Sequence, residues 1–464
     1  MTQTALGRAA DVAALTPVGR DRWVDTLRVG SLVVVILGHW LMVVLTGDGQ
    51  ITNALALVPA LQPLTWLLQV MPVFFLVGGV AHAHTLDSLG RRLPPGPGRY
   101  AVFVGGRARR LLRPTLTFLG VWLVAGVAAH LSGATARADE SGRLARDALV
   151  MVPQLLWFVG IYLGVSACAP VMRRLHRRWG AGVLVVLVAL AVAVDVVRFT
   201  GGPSVVGTLN FALVWLTLHQ LGFLWYDGRL TPRVGLVGAV LGLASMALLV
   251  RFGPYPVSMV GLPGESVSNM APPTVALLAQ GIGVCGLAAL VRPAMTRLLA
   301  APRVWTAVVL VSPFAMTAFL WHLTALMAVL VGSRLAGLEQ PAVASLAWWL
   351  TRPLLFAVLA VVTALLVAAF VRFDSGGGAS GGGGDGAVVA ALSRRTRADR
   401  MAAAGVAVVC LGVLVVSVVG VDVLGNRPVF FLVGEVTPAA GLAVLLVGLA
   451  LIGWVGRLTG PSRA

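Results

Sequence analysis

Arg28 and His39 are the residues whose types and spacing are best suited to chemistry. They stand eleven positions apart in the apolar stretch RVGSLVVVILGH. In an α-helix, eleven steps give a rise of about 16 Å and about three turns plus 20°, so both side chains lie on one face. Such a helix places the guanidinium at the membrane edge and the imidazole near the middle of the bilayer. An ionisable side chain at that depth is costly and indicates a functional site.

His39 is suited to the role of general base. A neutral imidazole has an ordinary pKa near 6.5 and takes a proton from a hydroxyl group at ambient pH. The alternative is a histidine that only bonds a neighbouring helix. Asp25 stands three residues before Arg28 and can orient the guanidinium. The alternative is that Asp25 and Arg28 form an ion pair with a purely structural role.

The stretch GGRARRLLRP at 105–114 carries Arg107, Arg110 and Arg113 at every third position. Positive-inside anchoring explains one or two of these arginines. Three guanidiniums at a helix start also suit a phosphorylated ligand, because each planar fork binds two oxygens. Coenzyme A is such a ligand, since its phosphates can stay at the surface while its pantetheine arm reaches inward. The cluster therefore suits a long phosphorylated donor.

For the other histidines in apolar segments, a structural role is an alternative to a functional one. FLWH at 319–322 places His322 in the outer half of the ninth span, where it either binds substrate or packs a helix. We interpret His219 as structural, and His82 and His84 as interfacial. Because the pair at 82 and 84 lacks acidic or thiol neighbours, no metal site is expected.

The connection after the seventh span, residues 255–274, is broken by Pro and Gly and is longer than a connector requires. It carries Glu265 and Asn269 on the outer side of the membrane. Long loops of this kind often carry function. We interpret it as a lid or an acceptor contact, with Glu265 and Asn269 as candidate substrate-binding residues.

The elements that position these residues are membrane-spanning helices. The chain has 464 residues, of which 58% are hydrophobic and 11% charged, whereas a soluble domain has about 25% charged residues. Recurrent long apolar runs predict an all-α fold, a polytopic membrane helical bundle. The net charge of +18 therefore does not require nucleic acid as a partner. The basic residues are all arginine, which excludes lysine Schiff-base chemistry and a P-loop lysine.

Twelve candidate spans follow one another along the chain. They cover residues 29–47, 64–86, 112–131, 148–170, 181–199, 205–225, 232–251, 272–291, 305–332, 344–371, 401–424 and 437–456. Arginine-rich loops alternate with loops that are poor in arginine or balanced by acid. The positive-inside rule therefore places both termini in the cytoplasm.

The Gly-rich stretch SGGGASGGGGDG at 375–386 predicts a flexible linker. It divides the chain into a ten-helix body at 1–372, a Gly-rich and Arg-rich cytoplasmic linker at 373–400, and a two-helix tail at 401–464. The three cysteines lie inside apolar segments, without metal spacing or evident disulfide partners.

Five ordered stretches make the chain resemble the acyltransferase-3 family, bacterial integral membrane enzymes that O-acylate surface glycans, lipids and some secondary metabolites. The resemblance extends from residue 22 to about residue 372. The stretches are RWVDTLRVGSLVVVILGHW (22–40), MPVFFLVGG (71–79), GRARRLLRP (106–114), LWFVGIYL (156–163) and FLWHL (319–323).

The resemblance implies a ten-helix enzyme in which Arg28 and His39 match the essential pair of the family. It also implies that Arg107 and Arg110 match the donor-side arginines, although Arg110 and Arg113 offer a competing register. Some members append an esterase-like domain, whereas this chain has the linker and two further spans. Phe319 stands where the family often has Tyr.

We therefore expect a membrane O-acyltransferase of the bacterial plasma membrane, with no bound cofactor. It would move an acetyl or other short acyl group from acyl-CoA to a hydroxyl of an envelope glycan, lipid or secondary metabolite. The alternative is a major-facilitator-like transporter, whose span count is similar. Against it, the connection between spans six and seven is short. A non-catalytic partner in an envelope assembly complex is a third alternative.

Overall fold

The structure is a computed structural model that describes residues 5–17, 19–93, 96–338, 340–374, 396–432 and 434–459. Most of these residues are helical and very few are in strands, which confirms the all-α prediction. The helices are α1 (Ala5–Ala14), α2 (Arg22–Met42), α3 (Ala54–Leu57), α4 (Thr65–Leu68), α5 (Met71–Arg92), α6 (Arg99–Leu131), α7 (Glu140–Gln154), α8 (Leu156–Trp179), α9 (Gly182–Phe199), α10 (Asn210–Tyr226), α11 (Pro232–Phe252), α12 (Val275–Leu290), α13 (Arg292–Leu298), α14 (Pro302–Val311), α15 (Ala315–Leu335), α16 (Leu346–Asp374), α17 (Thr396–Val419) and α18 (Pro438–Thr459).

Short elements connect several of these helices. Two antiparallel hairpins pair β1 with β2 and β3 with β4. Their strands are β1 (Val43–Leu45), β2 (Ile51–Asn53), β3 (Val429–Phe431) and β4 (Gly434–Val436), and the short 3-10 helices cover Pro59–Leu64, Ala134–Ala136, Ser204–Leu209 and Ser312–Phe314.

The helices form a polytopic membrane bundle, as predicted. In the described ranges, ten helical segments are long and apolar enough to cross a membrane, and the pair α12 and α13, bent by 50°, makes an eleventh. Helix α18 adds a shorter apolar stretch at Pro438–Gly453. These twelve segments follow the order of the twelve predicted spans.

Helix α2 begins and ends earlier than the predicted span at 29–47. The carboxylate of Asp21 caps it by accepting hydrogen bonds from the backbone N–H groups of Trp23 and Val24. The same carboxylate accepts hydrogen bonds from the Trp225 indole (3.0 Å) and the Arg292 guanidinium (2.8 Å). These bonds tie the start of α2 to α10 and α13. As a consequence, His39 lies in the last turn of α2 and not at its middle.

Helix α6 begins thirteen residues before the predicted span at 112–131, so the arginine cluster lies inside a helix. Its start is capped from the tail of the chain. The carboxylate of Asp399, on α17, accepts hydrogen bonds from the backbone N–H groups of Gly98 (2.7 Å) and Ala101 (2.9 Å). A carboxylate at a helix start satisfies backbone donors that have no partner within the helix.

The predicted tail packs against the predicted body. Helix α17 contacts α6, α7 and α8. Just beyond it, the backbone N–H of Val421 donates to the carbonyl of Leu149 (3.1 Å). The Gly-rich part of the predicted linker lies outside the described residues, but 396–400 belongs to α17. The tail helix therefore starts before residue 401 and shares an interface with the body.

Helices α5 and α10 approach each other closely through two glycines. A Cβ atom on Gly79 would lie 2.1 Å from the carbonyl oxygen of His219, and one on Gly222 would lie 2.1 Å from that of Leu76. Both distances are far below van der Waals contact, so only glycine fits at either position. This approach brings His82 on α5 against His219 on α10.

The first prediction concerns this contact. We expect Gly79→Ala to lower the free energy of unfolding by about 1–3 kcal/mol, because the added methyl group must separate α5 from α10. Thermal melting of the purified protein measures the effect. Gly90→Ala, on the same helix, is the matched control, since a Cβ there meets nothing within 4 Å. Equal melting temperatures for the Gly79 variant and the control would contradict the packing described.

Candidate active site

His39 and His322 form a hydrogen-bonded pair inside the bundle. Nδ1 of His39 lies 3.0 Å from Nε2 of His322. The two rings are stacked, with centroids 5.0 Å apart and an interplanar angle of 28°. His322 has no exposed surface, because α15 is buried on all sides around it. The sequence placed these residues on separate spans without linking them, and the structure brings them into contact.

The backbone carbonyl of Phe319 determines which ring nitrogens carry protons. Nδ1 of His322 lies 2.5 Å from this oxygen. A carbonyl oxygen only accepts hydrogen bonds, so Nδ1 of His322 carries the proton and its Nε2 is the acceptor. Nδ1 of His39 must then donate to that Nε2. In the neutral pair, this leaves Nε2 of His39 unprotonated, as a general base requires.

The open side of His39 faces the protein interior. Gly30, Val33 and Leu37 form the exposed stripe of α2, and at about 100° per residue they lie across the helix from Arg28 and His39. His39 is nevertheless only half-buried. Its accessible surface therefore lies on the side of α2 that faces the bundle and not on the side of its exposed apolar stripe.

Arg28 lies on the same face as His39, as its spacing predicts. Its Nη2 donates to the hydroxyl of Ser312 (2.7 Å) and lies 3.7 Å from the carboxylate of Asp25. The predicted pairing with Asp25 is present, but Arg20 makes the closer contact with that carboxylate, at 2.6 Å. Arg28 therefore retains guanidinium donors for a ligand, and its side chain is 42% exposed.

Arg107, Arg110 and Arg113 do not share one face of α6. Arg107 turns inward, where its guanidinium donates to the carbonyl of Ala81 (3.4 Å) and to the Thr85 hydroxyl. Arg110 follows at about 60° around the helix and Arg113 at about 120°. Arg110 and Arg113 are both exposed. Arg107 is thus the arginine of this cluster that bonds α5, and the choice between the two registers stays a prediction.

Tyr162, on α8, connects this cluster to Arg28. The positive charges of Arg28, Arg107 and Arg110 all act on its hydroxyl. Among the four candidate arginines, these three are the ones whose charges reach the Tyr162 hydroxyl. The sequence shows Tyr162 only as part of the stretch LWFVGIYL, and no sequence signal assigns it a role.

A second buried histidine pair lies beside Tyr162. Nδ1 of His82 lies 2.9 Å from Nε2 of His219, and Nε2 of His82 lies 3.3 Å from the Ser166 hydroxyl. Both rings have no exposed surface. The interfacial interpretation of His82 is wrong, because α5 runs on to Arg92 and places His82 at its middle. His84, two residues further along the same helix, has an exposed side chain.

Glu265 and Asn269 are engaged within their own loop. Asn269 is fully buried, donates to the carbonyls of Pro256 (2.7 Å) and Ser258 (2.9 Å), and accepts from the Thr274 hydroxyl. Its amide therefore holds the loop together. The Glu265 carboxylate accepts from the backbone of Leu262 (3.1 Å), and partial burial raises the pKa of this carboxyl. No described contact joins either residue to His39.

The site has two parts, a histidine pair that can accept a proton and an arginine cluster that can hold an anion. Along α2 they are separated by the rise between Arg28 and His39, about 16 Å. Among the described residues, no group of three or more His, Cys, Asp or Glu side chains is placed to hold a metal ion. The chemistry available from these side chains is acid–base catalysis, nucleophilic attack and anion binding.

Comparison with known proteins identifies the family. The acyltransferase-3 family model, described as an acyltransferase domain, matches residues 21–372. No curated protein and no solved structure matches the chain. The match covers the body that holds both parts of the site and gives no support to the transporter alternative. The chain is thus a membrane acyltransferase enzyme and belongs to the acyltransferase-3 family.

Proposed function

We propose that this enzyme moves an acetyl or other short acyl group from acyl-CoA to a hydroxyl group. The acceptor class is an envelope glycan, a lipid or a secondary metabolite. The observation that carries the proposal is the hydrogen-bond chain from Phe319 through His322 to His39. It leaves an unprotonated imidazole nitrogen on the interior face of α2, in line with Arg28.

The donor spans the two parts of the site in this proposal. Its phosphates bind Arg107 and Arg110, with Arg28 assisting, because guanidinium groups bind phosphate oxygens bidentately. The pantetheine arm then lies along the inward face of α2. A long, thin arm suits the gap of about 16 Å between Arg28 and His39. The thioester arrives next to the imidazole of His39.

The reaction needs two proton transfers, one from the acceptor hydroxyl to His39 and one from His39 to the departing thiolate. Nε2 of His39 takes the proton of the acceptor hydroxyl as its oxygen attacks the thioester carbonyl carbon. The C–O bond forms, the C–S bond breaks, and the proton on Nε2 passes to the departing thiolate. His322 stabilises the imidazolium formed on the way, because its Nε2 accepts from Nδ1 of His39. An alternative mechanism forms a transient acyl group on Nε2 of His39, because histidine can act as a nucleophile.

The location of the acceptor follows from topology. Alternating arginine-rich loops favour a bacterial plasma membrane protein with both termini in the cytoplasm. The donor arginines then lie near the cytoplasmic side and His39, in the last turn of α2, lies toward the opposite side. Cytoplasmic acyl groups would reach an acceptor at or beyond the midplane. The 255–274 loop lies on that side, where its exposed residues are available to an acceptor.

The second prediction tests His39 itself. His39→Ala should lower the turnover number for acyl transfer from acetyl-CoA by about 10²–10⁴-fold, the usual contribution of a general base. Release of free thiol from purified protein with acetyl-CoA and an extract of envelope glycans and lipids measures the rate. His84→Ala, at an exposed position, is the control and should keep wild-type activity. Wild-type turnover by the His39 variant would remove the histidine from the mechanism.

The third prediction tests His322 as a positioning residue. His322→Leu removes the acceptor for Nδ1 of His39, and we expect a loss of about tenfold to a hundredfold in turnover, because an orphaned buried donor costs about 1–3 kcal/mol. His322→Gln offers a side-chain oxygen in the same place and should recover part of the rate. If the two variants have the same rate and stability, the hydrogen bond has no role in catalysis.

The fourth prediction concerns the donor arginines. Arg107→Gln should raise the KM for acetyl-CoA by about tenfold or more with less change in turnover number, since a hydrogen bond to a charged group contributes about 1.5–3 kcal/mol. Arg113→Gln is the matched control on the same helix and should change KM little, because Arg113 faces outward. Steady-state kinetics against acetyl-CoA at saturating acceptor separates the two. A larger rise in KM for Arg113→Gln than for Arg107→Gln would favour the competing register, in which Arg110 and Arg113 bind the donor.

A further inference from the structure

We propose that Tyr162 is a donor-binding residue whose hydroxyl donates a hydrogen bond to a phosphate oxygen of the acyl-CoA donor. This inference rests on the proposed function and adds a residue to it.

The ring of Tyr162 lies directly over a glycine of α5. A Cβ atom on Gly78 would lie 2.8 Å from Cε2 of the ring and 3.0 Å from its hydroxyl oxygen. Phe74 and Phe158 flank the ring, with centroids 5.4 Å and 5.7 Å away. A larger residue at position 78 would push the hydroxyl out of this place. The glycine therefore makes room for a phenol at this position.

The second histidine pair holds α8 at the turn that carries Tyr162. The Ser166 hydroxyl donates to the carbonyl of Tyr162 (2.7 Å), so its oxygen is free to accept from Nε2 of His82. Nδ1 of His82 then accepts from Nε2 of His219. This chain joins α8, α5 and α10 through groups that are fully buried. It fixes the backbone of Tyr162 relative to the helix that bonds Arg107.

The surroundings of the hydroxyl are electropositive. Arg28, Arg107 and Arg110 all act on it, and no acidic side chain is among the charges that do. The guanidinium of Arg107 bonds Ala81 and Thr85, on either side of His82. The His82 ring itself lies 5.7 Å from the Tyr162 ring. A neutral hydroxyl within the field of three cations is a favourable place for an anion to bind.

The hydroxyl is available to such an anion. In the part of the chain that the structure describes, it has no hydrogen-bond partner, and the side chain is only half-buried. A phenol in this position is a donor without an acceptor. A phosphate oxygen supplies the acceptor, and its charge is balanced by the arginines. The simpler alternative is that Tyr162 acts only by packing, in which case phenylalanine would serve equally well.

Tyr162→Phe separates these two possibilities, because it keeps the ring and removes only the hydroxyl. We expect an unchanged melting temperature, a Kd for coenzyme A raised about tenfold or more, and a similar rise in the KM for acetyl-CoA. S-acetylpantetheine, which lacks the phosphates, should be used equally well by the variant and the wild type. Tyr226→Phe is the control, since its ring lies beside Arg173 at the end of α10.

Equal binding of coenzyme A by wild type and Tyr162→Phe would overturn this inference and leave the proposed function intact. An equal loss with acetyl-CoA and S-acetylpantetheine would also overturn it, because the hydroxyl would then act away from the phosphates. A wild-type protein that binds no coenzyme A would overturn both the inference and the proposed donor.

Discussion

The proton positions in the proposed catalytic histidine pair depend on the hydrogen bond of His322 to one backbone carbonyl. The oxygen of Phe319 fixes the proton of His322 on Nδ1, and this in turn fixes the proton of His39 on Nδ1. A buried imidazole with an unmatched donor costs about 1–3 kcal/mol, so the alternative tautomers are disfavoured by the same contacts. The carbonyl belongs to a stretch of α15, residues 319–323, that is buried on all sides. A proton acceptor on α2 is thus oriented by rigid structure on α15 and not by solvent.

The surrounding bundle holds the arginine cluster and the histidine pair at fixed positions relative to each other. Asp21 ties the start of α2 to α10 and α13, while Asp399 of α17 caps α6 just before its arginines. Gly79 and Gly222 allow α5 and α10 to meet at backbone distance, which places His82, His219 and Ser166 under Tyr162. The tail helix therefore contributes to the body that carries the site. A guanidinium cluster at one end and an imidazole at the other match a donor with phosphates at one end and a thioester at the other.

Much of the fold follows from sequence, because membrane spans are long and almost uniformly apolar. The order of twelve spans and the shared face of Arg28 and His39 both come from counting residues. The helix starts do not, since Asp399 caps α6 from far along the chain and no local signal indicates it. The contact between His39 and His322 depends on how α2 and α15 pack. Periodicity within one helix carries no information about that contact.

The positions of the Tyr162 and Arg113 side chains could not be predicted from the sequence. Arginines at every third position look equivalent, but their places around α6 differ by about 60° per step, and only the neighbours decide which one faces inward. Tyr162 stands in a stretch that reads as packing residues. Its place among three arginines appears only when α2, α6 and α8 are assembled. Gly78 gives a partial signal, because two adjacent glycines inside an apolar helix, Gly78 and Gly79, indicate a close approach of a neighbouring group.

The most direct measurement is a structure of the enzyme in a lipid nanodisc with a non-transferable acyl-CoA analogue bound. The account predicts phosphates on Arg107 and Arg110, an acyl group beside Nε2 of His39, and His322 still bonded to the Phe319 carbonyl. An analogue bound with its acyl group away from His39, or a His39 ring turned toward the exposed stripe of α2, would contradict it.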